Sequence, residues 1–68
     1  MNFIVETEQE DDGRWIAEVL ELPGVLAYGQ TIEEAIAKVQ ALALRVIAEQ
    51  LEHGERADKF VNISFAAA

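Results

Sequence analysis

Four acidic side chains crowd one short stretch: Glu8, Glu10, Asp11 and Asp12, just ahead of Gly13. Carboxylates this close can hold a divalent cation or meet a cationic partner. A calcium loop, however, needs alternating ligands, a glycine and a distal glutamate within about twelve residues. That pattern is absent. A solvated turn is the favoured reading of the run, with contact to a basic partner as the other use. Trp15 and Tyr28 are of the type that anchors interfaces. Trp15 alternates with Ala17 and Val19 and reads as core, which leaves Tyr28 as the better anchor. His53 is the single histidine. It can serve as a general base, but beside the end of a helix the ordinary role is interaction with the dipole. Gly24 and Gly29 lack the spacing and flanks of a phosphate cradle. Neither Thr31 nor Ser64 has the makings of a triad around it. The chain has no cysteine, which excludes disulfides and cysteine-based zinc, and a lone histidine makes a poor metal site. Nothing here reads as an active site; no enzyme activity, cofactor or metal is expected.

The elements that must position these residues centre on Thr31 to Gly54, which reads as one long helix. Thr31 is a good N-cap, and Glu34 three residues later completes a capping box. Glu33 and Glu34 face the positive end of the dipole. No glycine or proline interrupts the stretch until Gly54, a natural residue for the position after the C-cap. Two apolar stripes run along it at about 100° per residue. Ile32, Ala35, Ile36, Val39, Leu42, Ala43, Val46 and Ile47 form a broad core face. Ala37, Ala41, Leu44, Ala48 and Leu51 form a second stripe with 4-3-4-3 spacing. A helix that covers one sheet and otherwise faces water needs only one stripe. The second is either exposed alanine or a contact.

Phe3 to Glu8 alternates, with Phe3, Val5 and Thr7 on one side and Ile4, Glu6 and Glu8 on the other, so it reads as a half-buried strand. Asp12-Gly13 suits a hairpin connection. Arg14 to Leu20 is a second strand, with Trp15, Ala17 and Val19 inward. Glu21-Leu22-Pro23-Gly24 breaks it. Val25 to Tyr28 is a short third strand. After the helix comes a polar loop, Glu55 to Lys59. A fourth strand follows, Phe60 to Ala66, with Val61, Ile63 and Phe65 inward and Asn62 and Ser64 outward. The order β-β-β-α-β makes an α+β fold with a four-stranded sheet and one long helix on one face. Hairpins make the first three strands an antiparallel meander, and the helix returns the chain as a right-handed crossover. The sheet order expected is 3-2-1-4, with 4-3-2-1 as the alternative. One helix leaves the other sheet face, with Ile4, Ile16, Leu20 and Tyr28 among Glu6 and Glu18, for solvent or for a contact.

The chain has 68 residues and a formal charge of −8, from 13 acidic and 5 basic residues. That length is expected to make one domain over residues 1–68, with no separate DNA-binding domain. Such a surface repels phosphate backbones, so direct nucleic-acid binding is not expected. A basic partner would be steered toward it. No signal peptide is legible at the N-terminus, and no stretch of about 20 uncharged apolar residues exists to span a membrane; a cytoplasmic protein is expected. A chain this short without disulfides gains from added burial. A homodimer or higher homo-oligomer is therefore expected, either through Ala37, Ala41, Leu44, Ala48 and Leu51 as a helix-to-helix seam or through a sheet edge.

Three runs carry a resemblance: Asp12-Gly13-Arg14-Trp15-Ile16-Ala17, Leu22-Pro23-Gly24, and Gly29-Gln30-Thr31-Ile32-Glu33-Glu34-Ala35. Together they resemble the HicB-like antitoxins. Their pattern has an aromatic strand ending in alanine, an LPG turn and a G-x-T-x-E-E-A opening to the helix. The likeness runs from the first strand to the fourth. It implies a partial ribonuclease-H-like β-β-β-α-β fold. It also implies a protein that binds and blocks a HicA-like toxin, a small basic mRNA-cleaving protein. Val25 stands where a cysteine often follows the LPG turn, and Gln30 where an acidic residue is common. Many members carry a helix-turn-helix or ribbon-helix-helix domain after the fourth strand; none is expected here. The residues proposed to meet a partner are Asp11, Asp12, Glu18 and Tyr28. A metal-dependent nuclease would need several carboxylates converging on strand and helix ends, and the fourth strand offers only Asn62 and Ser64 outward. The other reading is a stand-alone oligomeric domain that binds another protein or a small ligand.

Overall fold

Alternating apolar and polar residues at the start of the chain settle into a strand whose odd positions face a helix and whose even positions face away. The computed structural model describes residues 1–57 and 59–68. Its elements are β1 (Asn2–Gln9), β2 (Trp15–Val19), β3 (Leu26–Gly29), α1 (Ile32–Glu52) and β4 (Ser64–Ala67). They form an α+β fold with a mixed sheet in the order β3-β2-β1-β4. β1 and β2 pair antiparallel, with Val5 opposite Val19 and Glu6 opposite Glu18. β2 and β3 pair antiparallel, with Ile16 opposite Tyr28 and Glu18 opposite Leu26. β4 pairs parallel to β1, with Asn2 opposite Ser64 and Val5 opposite Ala67. The helix therefore carries the chain from one edge of the sheet to the other, and the 3-2-1-4 order expected from the strand directions is the one found.

α1 is fixed at both ends. Thr31 is extended at φ −125° and ψ 161°, and its Oγ1 accepts the Glu34 amide at 3.1 Å. Glu34 does not return a bond to the Thr31 amide, as a full capping box would. Its Oε1 instead accepts from the Gln30 amide at 3.3 Å and from Lys38 Nζ at 3.0 Å. These two donors hold the Glu34 carboxyl below its usual range, the Lys38 bond being the larger cause. At the far end Gly54 takes φ +67°. The Glu55 amide donates to the Gln50 carbonyl at 2.8 Å and the Gly54 amide to Leu51 at 3.3 Å. That pair of bonds is a Schellman closure, which needs a residue tolerant of positive φ.

The core lies between α1 and the inner face of the sheet. Phe3, Val5, Ala17, Val19, Leu22 and Val25 meet Ala35, Val39, Ala43 and Ile47. The strictly buried helix positions recur every four residues, while Ile36, Leu42 and Val46 flank them half-buried. Val19, Val39 and Ile47 are fully enclosed, each stabilising the fold by about 1.5–3 kcal/mol. Trp15 is half-buried at the rim of this cluster rather than at its centre. Leu22 and Val25, read as turn and strand start, are both buried. The turn folds back so that the Leu22 amide donates to Val19 O and the Val25 amide to Leu22 O.

Gly29 sets how near the helix comes. A Cβ placed there would stand 2.5 Å from the Ala35 backbone nitrogen. Small side chains at Ala17 and Ala35, both fully buried, allow the same close approach farther along.

The fourth strand departs from expectation. Phe60 to Ile63 lies outside it, and β4 begins only at Ser64. Phe60 is 86% exposed and Val61 also faces water, so Val61 is not a core residue. Ile63 and Phe65 do pack on the core, Phe65 with its ring centroid 5.7 Å from that of Phe3. The strand starts late because its ladder begins where β1 begins: the Ser64 amide donates to Met1 O at 2.9 Å. β3 runs one residue later than expected at both ends. β2 lacks Arg14 and Leu20, while β1 gains Asn2 and Gln9. Of the polar loop expected over Glu55–Lys59, Asp58 lies outside the described residues.

Candidate interaction surface

The outward positions of the strands build one surface. In the row nearest the β1–β2 hairpin stand Tyr28, Ile16 and Glu8; in the next, Leu26, Glu18 and Glu6. Ile4 and Leu20 continue it and are exposed. The face thus mixes apolar side chains with three carboxylates on β1 and β2 and, toward β4, the polar pair Asn2 and Ser64. Glu6 and Glu18 are direct cross-strand partners, and like charges directly opposite one another destabilise a sheet. Among the described residues the ion pairs are Arg14–Asp12 and Lys38–Glu34. Neither of these pairs involves Glu6, Glu8 or Glu18.

The hairpin turn is a different environment. The Asp12 carboxylate accepts the Arg14 amide at 3.0 Å and Arg14 Nε at 2.7 Å. Those bonds, the backbone one first, hold its carboxyl below the usual range. Arg14 also lies over the Tyr28 ring, 4.6 Å from its centroid. One guanidinium thus ties Asp12 at the turn to Tyr28 on β3. Of the four residues proposed to meet a partner, Asp12 and Tyr28 share this cation. Glu18 stands on the same sheet face as Tyr28, one row away. Asp11 is exposed at the tip of the turn.

Sequence reasoning placed Glu6 and Glu8 on the outer face, singled out Glu8 only as part of the acidic turn cluster, and did not single out Glu6. Their significance comes from register: only the pairing of β1 with β2 sets Glu6 against Glu18 and Glu8 beside Ile16. The alternation was visible; the register was not, because the hairpin spans Glu10 to Arg14, closed by the Glu10 amide donating to Arg14 O at 2.7 Å.

A groove of about 610 Å³ opens where β4 stops and β1 continues. Ile32 and Ile36 of α1 and Phe65 of β4 line one side, and Glu6, Glu8 and Glu18 the other.

The second helix stripe is solvent-facing. Ala37, Ala41, Leu44, Ala48 and Leu51 are all exposed, Leu44 by 45%. His53 lies at the C-cap with Nδ1 3.0 Å from the Glu49 carbonyl oxygen, a bond it makes only by donating. Among the described residues no three His, Asp or Glu side chains converge as a metal site, and no helix is long and apolar enough to cross a membrane. No protein-family model, curated protein or solved structure matches this chain.

Proposed function

We propose that this protein is a non-catalytic interaction module of the HicB-like antitoxin type. On this reading it works in the cytoplasm, where it binds and neutralises a small basic HicA-like toxin that cleaves mRNA, and it makes no direct contact with nucleic acid. The observation that carries the reading is the outer sheet face: three carboxylates with no cationic partner among the described residues, set in apolar surroundings. Charges on such a face cost stability inside the free molecule and gain value when a cation arrives. The sequence runs around Gly13, Pro23 and Thr31 supply the kind of partner.

The test is co-expression with a short basic open reading frame encoded beside this gene. Wild type should rescue growth. The triple variant Glu6→Lys, Glu8→Lys, Glu18→Lys should fold but fail to rescue. No rescue by the wild type, or equal rescue by the triple variant, rejects the reading.

The exposed stripe on α1 favours a second reading: a stand-alone oligomeric domain, joined helix to helix, that binds another protein or a small ligand. Five small or apolar residues on one exposed line match a two-fold seam better than a solvated face.

A further inference from the structure

β2 pairs with β1 on one side and with β3 on the other, so its main-chain groups are spent within the sheet. Its outward side chains are Ile16, Glu18 and, just past its end, Leu20: apolar, acidic, apolar. Successive outward positions on a strand stand about 6.8 Å apart. Glu18 is half-buried, and Glu6 lies directly across from it on β1. Tyr28, opposite Ile16, widens one apolar end and Ile4 the other; Glu8 borders Ile16 from the β1 side. The inner side of the same strands already receives a helix. α1 enters through its buried positions Ala35, Val39, Ala43 and Ile47, which repeat every four residues. Four residues of helix rise about 6 Å, close to the spacing along the strand. A sheet's twist has the same hand from either face. The geometry that seats α1 inside therefore exists outside as well, with a carboxylate pair where α1 meets apolar side chains.

We propose that the outer face seats one amphipathic helix of a basic partner, lying along β2, with a Lys or Arg four residues from an apolar residue on each side. The proposal rests on the reading above for its basic partner and deepens it by naming the element that docks. The two apolar residues cover Ile16 and Leu20. The cation stands between Glu18 and Glu6, where one positive charge relieves the repulsion of two opposed negative ones. An extended segment is the wrong occupant. Laid on a face whose strand is already paired on both sides, it finds no ladder and leaves its own N–H and C=O groups without partners, whereas a helix satisfies its own. A second copy of this chain is wrong as well. On α1, Lys38 is four residues from Glu34 and Arg45 is four residues from Glu49, so each basic position brings a further carboxylate onto the face.

The experiment titrates the full chain with four peptides. The first is a stapled helix with the row Leu–Lys–Leu at every fourth position. The second carries Leu–Glu–Leu, the third has the lysine moved to the opposite side of the helix, and the fourth is unstapled with a central proline. Only the first should bind well, with at least about a tenfold loss for each of the others. It should shift the amide resonances of Ile16, Glu18 and Leu20 and leave those of Leu44 and Ala48 in place. Equal affinity for the Leu–Glu–Leu peptide overturns the cation, for the displaced lysine the row, and for the proline peptide the helix. Absence of binding by all four, or shifts at Leu44 and Ala48 instead, overturns the seat. Ile4→Ser with Leu20→Ser should weaken the first peptide at least about tenfold with native circular dichroism; undiminished binding also overturns the seat. If that variant does not fold, the peptide comparison on the wild type still decides. Growth rescue that survives the folded variant would keep the toxin reading while removing this docking route. Failed rescue by the wild type would reject that reading without touching the peptide result.

Discussion

On its inner face the sheet presents Phe3, Val5, Ala17 and Val19, all nearly inaccessible; on its outer face Ile4, Tyr28 and Leu20 keep 40%, 39% and 53% of their exposure. The same strands supply both, one residue apart. The inner face is governed by distance: glycine at 29 and alanine at 17 and 35 let the helix backbone come close, and volume added there has nowhere to go. The outer face is governed by charge, because Glu6 and Glu18 stand directly opposite each other on it. Stability resides on the inner face, and the outer face is the one proposed to bind.

That contrast can be broken most forcefully from the inside. Gly29→Ala drives a methyl group into the Ala35 backbone and should cost about 3 kcal/mol, with Ala17→Leu costing about 2 kcal/mol, by overpacking. Each kilocalorie lowers the melting temperature of so small a domain by about 4–8 °C. Wild-type melting of either variant would show that the helix can move away freely. A smaller effect is expected from Leu44→Glu with Ala48→Glu on the exposed helix stripe. Stability should change by about 0.5 kcal/mol or less, while the mass seen by light scattering falls from dimer to monomer. A dimer that persists rejects the helix seam, and a monomeric wild type at tens of micromolar rejects the oligomer. Smallest, and opposite in sign, is Glu18→Gln. Removing one of two opposed charges should stabilise the free protein by a few tenths of a kcal/mol, most visibly at low salt, while weakening capture of a basic partner. Destabilisation by this change would mean that Glu6 and Glu18 are not in conflict.

Most of the architecture is written in local pattern. Asp12-Gly13 and Pro23-Gly24 mark the two hairpin turns, Thr31 and Gly54 bracket the helix, and period-two alternation assigns the faces of β1 and β2. What stayed hidden depends on parts of the chain that meet only after folding. Gly29 looks like a strand terminator in sequence, because nothing local announces that Ala35 will lie against it. Leu22 sits in a turn whose burial is decided by α1. The stretch from Phe60 to Ile63 has the same alternation as a strand but lies outside β4, whose ladder with β1 starts at Ser64 opposite Asn2. The candidate surface was legible as a mixed face with Glu18 and Tyr28 on it, but its most consequential pair, Glu6 with Glu18, required the register.

The pairing of β4 with β1 also bears on the order in which the molecule assembles. The two hairpins and the helix close over short stretches of chain, whereas Phe3 meets Phe65 across nearly the whole sequence. Closing so long a loop forfeits more chain entropy than any other step, and the return is a four-residue ladder and one ring contact. β4 is therefore the last strand to dock in folding and the first to lift away in local opening. Amide exchange at Phe65 and Ala67 should run ahead of exchange at Ala17 and Val19. Each such excursion uncovers the Asn2–Val5 side of β1 that β4 otherwise pairs.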